Sequence, residues 1–230
     1  MFGFTQIELL LFTLPAIILA MIAQWWVSSA YSKGLQFAAN LSGFAAARLI
    51  LDRSGLHDVQ IEPVGGHMSD HYDPRDRVLR LSGDVFHGRT LTAVGIAAHE
   101  AGHAIQHGVG YLPLVVRNFA VPAANFGSGA GAILMLLGVI MSFKPLLLAG
   151  IVLFSCVVFF QLVNLPVEFN ASSRAKQLLV TEGIVHPDEM GPVNRVLNAA
   201  ALTYVAGTLQ AVLTLVFYIM HYTSGERSRG

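Results

Sequence analysis

The sequence is poor in charged residues and in cysteine. Charged residues make up 12% of its 230 residues, whereas a typical soluble domain carries about 25%. This scarcity, together with a mean hydropathy of +0.59, predicts an integral membrane protein. Cys156 is the single cysteine, which excludes a disulfide within the chain. It lies in an apolar run, where we expect an inert thiol that faces lipid or protein core.

The sequence also lacks an excess of either sign of charge. Its 14 Lys and Arg residues balance its 14 Asp and Glu residues. This balance argues against nucleic acid or an anionic surface as a partner, because both select basic proteins. No Gly-x-x-x-x-Gly-Lys-Ser/Thr loop is present, so we expect no nucleotide as a partner either.

Four apolar runs are long enough to cross a bilayer, which requires about 20 residues. They cover residues 9–27, 119–143, 146–165 and 199–221. We therefore predict a mainly α, multi-pass protein with four transmembrane helices in a lipid bilayer. The first run has an alternative interpretation as a cleaved signal peptide, since Ser28, Ser29 and Ala30 are small. The run's length and the lack of a preceding Lys or Arg favour a retained anchor.

Two polar segments separate these runs, and we expect the first to be a small α+β domain. Apolar periodicity predicts helices near 35–51 and from Thr90 or Thr92 to Gly108 or Gly110, strands at 59–64 and 77–81, and a loop at 65–74. The segments are then 1–27 (first span), 28–118 (α+β), 119–165 (second and third spans), 166–198 (helical), 199–223 (fourth span) and 224–230 (a polar tail).

The distribution of Lys and Arg predicts the orientation. Two crossings separate residues 28–118 from 166–198, so both segments lie on one side of the membrane. Together they hold eleven of the Lys and Arg residues, and the opposite side holds three. By the positive-inside rule we expect both segments in the cytoplasm, with the two termini outside a plasma (inner) membrane.

The motif His99-Glu100-x-x-His103 is the strongest chemical signal in the sequence. If this stretch is helical, His99 and His103 lie on one face, one turn apart, and Glu100 flanks them. Zinc hydrolases use this arrangement, with two imidazole ligands and the glutamate as general base towards water. The alternative is two solvated histidines at helical spacing.

A catalytic zinc ion requires a third protein ligand. His107 continues the same face, but it lies about 12 Å along the helix from His99, so we expect it outside the ligand set. Gln106 and Val109 stand where the metzincin extension has Gly and His. Glu168 is returned to the same side of the membrane by the two crossings. Residue spacing leaves it open whether Glu168 is a ligand or a carboxylate at the start of a helix after Pro166.

Four blocks of the sequence, in order, resemble the YugP-type membrane zinc metallopeptidases, which are gluzincin-like. The blocks are Asp70 to Pro74, His99 to His103, Leu165 to Ala175, and Ala200 to Ala206. The resemblance covers nearly the whole chain. It implies a bacterial multi-pass membrane protease with a zincin-like domain, one Zn²⁺ per chain on His99 and His103, Glu100 as catalytic base, and Glu168 as third ligand.

From these features we expect a zinc metalloendopeptidase that cleaves membrane or membrane-proximal proteins at a cytoplasmic-side site. A strand near 77–81 could bind the peptide substrate by strand addition. Candidates to stabilise the oxyanion are His71, Tyr72, Arg174 and Tyr204, each of which also has an ordinary structural interpretation.

Three other classes of protein share some of these features. An intramembrane protease of the site-2 type would carry the motif within a membrane run, but residues 84–118 are too polar. An ATP-dependent membrane protease would need the missing phosphate-binding loop. A non-catalytic zinc-binding scaffold would have four protein ligands. Under every reading a partner membrane protein or a second copy could dock on the small residues Gly127 and Gly131.

Overall fold

The computed structural model describes residues 2–227, with side chains described for residues 6–224; the last three residues of the predicted tail 224–230 lie outside it. Within this range the chain forms eight α-helices and one three-stranded sheet. In chain order they are α1 (Phe2–Gly34), α2 (Gly43–Arg53), β1 (Gln60–Val64), β2 (His71–Asp73), β3 (Val78–Ser82), α3 (Gly83–Phe86), α4 (Leu91–Gly108), α5 (Leu112–Phe126), α6 (Ala132–Ile140), α7 (Lys144–Thr181) and α8 (Met190–Arg227). A π-helical stretch, Gly127–Gly131, joins α5 to α6, and a 3₁₀ turn, Pro187–Glu189, precedes α8.

Four helical stretches are long and apolar enough to cross a membrane. They are Gln6–Gly34, Leu112–Ile140, Lys144–Thr181 and Pro187–Ser224, of 29, 29, 38 and 38 residues. Large apolar side chains on them are exposed, as on Trp25 (71%) and Phe119 (81%), and lipid would cover such groups. The prediction of a mainly helical chain with four apolar helices and a small sheet is confirmed.

The chain divides into two compact units, and the first contains Met1–Ile22, Val115–Leu165 and Thr203–Gly230. Its glycines bring helices together. A Cβ atom on Gly131 would lie 3.0 Å from the backbone nitrogen of Phe154, and one on Gly127 would collide with the carbonyl of Leu153. Gly127 and Gly131 do admit a helix, but it is α7 of the same chain. The prediction that they offer a docking surface to another protein is therefore wrong.

The second unit contains Ala23–Leu114 and Pro166–Leu202 and is built around a buried core. Leu79 and Leu81 of β3, Val94 of α4, Leu179 of α7 and Val193 of α8 are all fully buried in it. The sheet has the order β1-β3-β2, with β1 parallel and β2 antiparallel to β3. This core holds α4 between the sheet and the second half of α7.

The structure corrects three local predictions in this unit. The helix predicted at 35–51 begins only at Gly43, where the Ser42 side chain accepts a hydrogen bond from the Ala45 amide and so fixes the start. The loop predicted at 65–74 contains β2, which is short and pairs only with β3. β3 is the central strand, so both its edges are paired and it cannot accept a peptide as an added strand.

The helix predicted to begin after Pro166 is instead the continuation of α7, which runs unbroken from Lys144 to Thr181. A proline removes one intrahelical hydrogen bond, and the long helical stretches on either side keep theirs. Glu168 therefore lies in the interior of a helix, so the interpretation as a carboxylate at a helix N-terminus does not apply.

Candidate metal centre

The sequence of α4 determines which of its faces carries the histidines. Thr90 caps the helix by accepting a hydrogen bond from the Ala93 amide at 3.2 Å, as predicted. Alanines at 97, 98, 101 and 104 are at most 1% exposed, so their small side chains let the helix sit deep in the core. His99 and His103 point to the remaining face and are largely buried, with side chains 12% and 13% exposed.

The side chains of His99, His103 and Glu168 lie together. His99 Nε2 is 3.1 Å from His103 Nε2. Oε2 of Glu168 lies 3.3 Å from Nε2 of His99 and 3.6 Å from Nε2 of His103. Among the described residues, this is the group of three His, Cys, Asp or Glu side chains arranged to hold a metal ion.

The spacing of these three atoms fits a tetrahedral zinc ion. Zinc bonds of 2.0–2.2 Å at tetrahedral angles separate neighbouring ligand atoms by about 3.3–3.6 Å, and the three observed separations are 3.1, 3.3 and 3.6 Å. Glu168 is 4% exposed and its Oε2 atom has no hydrogen-bond partner among the described residues. A buried carboxylate oxygen without a partner is costly, and a cation between the three side chains would satisfy it.

Each histidine is oriented by a second contact through its other ring nitrogen. His99 Nδ1 lies 3.1 Å from Ser172 Oγ, and His103 Nδ1 lies 3.0 Å from Gln106 Oε1. Contacts of this kind fix the ring orientation of metal-binding histidines. In both rings they leave Nε2 as the nitrogen that faces Glu168.

The electrostatic environment also suits a cation. Burial lowers the pKa of His103, but the carboxylates of Glu168 and Glu100 raise it by more than burial lowers it. The pKa of His103 therefore lies above the ordinary value for histidine. The group thus favours positive charge at this position. Glu100, 9% exposed, contributes to that field from the adjacent position on α4.

The close approach of α4 and α7 depends on Gly102. A Cβ atom at this position would lie 2.8 Å from the carbonyl oxygen of Ala171 and 3.3 Å from its Cα atom. On α7, Ala171 lies between Asn170, which accepts a hydrogen bond from Gln106, and Ser172, which contacts His99. The glycine of the motif therefore sets the distance between the two helices that carry the three side chains.

The other predicted site residues are not among the three side chains that could hold a metal ion. His107 is outside the group, as expected, and its Nδ1 atom is 2.9 Å from the hydroxyl of Tyr72 on β2. His71 Nδ1 contacts the backbone oxygen of Ser69 at 2.8 Å. Arg174 donates from Nε to Asn170 Oδ1 at 2.7 Å. Tyr204 lies on α8 in the first unit.

Sequence reasoning missed three residues that support the histidines: Gln106, Asn170 and Ser172. Helical spacing carried part of the signal. Ser172 lies four residues after Glu168 and Gln106 three after His103, so each shares a face with its neighbour in the site. Asn170 could not be found in this way, because its contact with Gln106 depends on how α7 packs against α4.

Four helices apolar enough to cross a membrane and a buried His-His-Glu group are the features expected of a membrane protein with a site of the zinc-hydrolase type. Comparison with known proteins agrees. The sequence model of a family described as "Putative neutral zinc metallopeptidase" matches residues 9–223, so the chain belongs to that family. It is 46% identical over 216 residues to "Putative membrane protease YugP" of Bacillus subtilis (strain 168), covering 93% of this chain and 96% of that protein. No solved structure matches the chain.

Proposed function

We propose that this chain is a zinc metalloendopeptidase of a bacterial plasma membrane, with one Zn²⁺ held by His99, His103 and Glu168. The observation that carries the proposal is the near-tetrahedral spacing of their three ligand atoms, one of which is a buried carboxylate oxygen with no hydrogen-bond partner among the described residues. Three protein ligands are the number that catalytic zinc sites use, whereas structural sites use four. The presence of three ligands rather than four therefore favours the enzyme over the zinc-binding scaffold.

Glu100 is the proposed general base. Zinc supplies a Lewis acid that polarises the scissile carbonyl and makes water more acidic. Glu100 follows His99 directly on α4, takes a proton from the attacking water and delivers it to the leaving amine. Its side chain is largely shielded from solvent, and a water-poor site strengthens the electrostatic interactions around it.

We propose β2 as the strand along which the peptide substrate binds. β2 lies at an edge of the sheet, and the hydrogen bond between Tyr72 and His107 ties it to the helix that carries the histidines. The other edge strand, β1, contains Pro63, which offers no amide donor to an added strand. A peptide paired with His71–Asp73 would run beside α4.

The replacement Glu100→Gln tests the catalytic assignment. Zinc should stay bound, because the ligands are untouched, and peptide hydrolysis should fall by several orders of magnitude. Membranes containing this variant should accumulate substrates that the wild type removes, which quantitative proteomics would identify. Glu62→Gln, an exposed glutamate on β1, is the matched control and should cleave normally. Undiminished cleavage by Glu100→Gln would refute the assignment.

The proposed orientation places residues 28–118 and 166–198 in the cytoplasm, supported by their eleven Lys and Arg residues against three on the other side. Single cysteines introduced at exposed sites in a Cys156→Ser background would be tested with a membrane-impermeant thiol reagent on intact cells. Asp58→Cys should stay unlabelled until the cells are opened. Labelling of Asp58→Cys in intact cells would reverse the orientation.

A further inference from the structure

We propose that Gln106 is a positioning residue that fixes the tautomer of His103, and that Asn170 and Arg174 fix the direction of its side-chain amide. This inference rests on the proposed function, since it assigns His103 Nε2 to a metal. It concerns a residue that lies outside the motif and makes no contact of its own with the three-atom group.

Gln106 is fully buried and bonded at both ends of its amide. It is 0% exposed. Its Oε1 atom lies 3.0 Å from His103 Nδ1. Its Nε2 atom donates to the backbone oxygen of Val167 at 2.8 Å and to Asn170 Oδ1 at 3.0 Å. One side chain of α4 therefore joins a histidine of its own helix to two acceptors on α7.

The direction of this amide follows from its partners. The Val167 carbonyl can only accept a hydrogen bond, so it must face the NH₂ group of Gln106. The side chain of Arg174 can only donate, and its Nε atom bonds to Asn170 Oδ1 at 2.7 Å. Asn170 therefore also presents an acceptor to Gln106. Two independent constraints place Gln106 Oε1 towards His103.

The tautomer of His103 follows in turn. Because Gln106 Oε1 can only accept, His103 Nδ1 must carry the hydrogen. In the neutral ring the lone pair then resides on Nε2, the atom that lies 3.1 Å from His99 Nε2 and 3.6 Å from Glu168 Oε2. The hydrogen-bonded series Arg174–Asn170–Gln106–His103 thus leaves Nε2 as the free ligand atom of His103 before any metal binds.

We expect the oxygen of the Gln106 amide to affect mainly zinc affinity, and its NH₂ group to affect mainly the stability of the metal-free chain. Gln106→Met keeps the approximate shape and removes both ends. Gln106→Glu keeps an acceptor for His103 in either protonation state, but its charged form faces two acceptors on α7. Two quantities are measured in detergent micelles: zinc affinity by competition with a chromophoric chelator, and the melting temperature of the metal-free chain. Gln161→Met, at a half-buried glutamine in the first unit, is the matched control.

We expect Gln106→Met to weaken zinc binding by about 10- to 100-fold, as losses of such supporting contacts do, and Gln161→Met to leave it unchanged. Gln106→Glu should lower the melting temperature while its zinc affinity stays closer to that of the wild type than to Gln106→Met. If Gln106→Glu does not fold, the pair Gln106→Met and Gln161→Met decides alone. The same zinc affinity in both methionine variants would overturn the proposal, as would equal losses in Gln106→Met and Gln106→Glu. A wild-type chain that binds no zinc would instead overturn the proposed function, and this inference with it.

Discussion

Replacing Gly102 with alanine tests whether the spacing of α4 and α7 determines the metal centre. In an exposed helix this change is favourable by about 1 kcal/mol. Here the new Cβ atom would lie 2.8 Å from the Ala171 carbonyl oxygen. Carbon–oxygen contacts of this type settle at about 3.3–3.6 Å. The helices must therefore separate by about 0.5 Å or more, since the obstacle is backbone and cannot rotate away.

The expected consequences follow from that displacement. Metal sites tolerate about 0.2 Å of error in ligand distance, so a shift of about 0.5 Å between the helix with two ligands and the helix with the third exceeds the tolerance. We expect zinc affinity to fall at least about tenfold. Overpacking of this kind costs about 1–3 kcal/mol, so the metal-free chain should also be less stable despite the better helix propensity of alanine.

The assay compares zinc affinity and thermal unfolding in detergent micelles with those of Gly108→Ala. Gly108 is on the same helix, and its added Cβ atom would meet the end of the Leu56 side chain at 2.9 Å, which can move aside. Gly108→Ala should behave like the wild type. If Gly102→Ala also bound zinc and melted like the wild type, the claim that this glycine sets the geometry of the site would be refuted.

Two further changes test other parts of the structure. Glu168→Ala should abolish stoichiometric zinc binding, because only two of the three ligands remain, and metal analysis after dialysis would measure this; full zinc occupancy would require another third ligand. The Arg75 amide and the Arg80 guanidinium, which donate hydrogen bonds to Asp73 at 2.9 Å, hold the pKa of that carboxyl below its ordinary value of about 3.9. Its stabilising effect should be complete above that value and be lost as the pH falls through the lowered pKa. Asp73→Asn should therefore melt lower than the wild type at pH 7, with the difference shrinking in acid; a difference that grew in acid would contradict the assigned sign.

The parts of the site that were predictable are those governed by helical period and by membrane crossings. The spacing of His99 and His103 brings them together on one face if α4 is a helix. Counting the spans predicts that Glu168 lies on the same side of the membrane as these histidines. Its local context was predicted wrongly, because a proline within a long helix gives the same sequence signal as a helix start. Their grouping is observed, and their role as zinc ligands stays a prediction.

The parts that were not predictable depend on how separate segments dock. β3 is the central strand of the sheet, although its apolar and polar residues alternate no more regularly than those of an edge strand. From the sequence alone, Gly102 is a residue of low helix propensity within a helix. The reason for a glycine there, the close approach of the Ala171 carbonyl, is visible only in the structure. The sense of the Gln106 amide is fixed by acceptors 61 and 64 residues away, which no local pattern can reveal.

The contacts between α4 and α7 at the site all fall within a short stretch after Pro166. Gln106 bonds the Val167 carbonyl, Gly102 packs on Ala171, and His99 contacts Ser172, while Glu168 lies among them on the same helix. Docking of this stretch and assembly of the three ligand atoms are therefore one event. A metal that binds only the docked form stabilises that docking, and the stabilisation grows with the logarithm of its affinity. Variants that loosen the interface should therefore lose zinc, and removal of zinc should loosen the interface, even where no ligand has been changed.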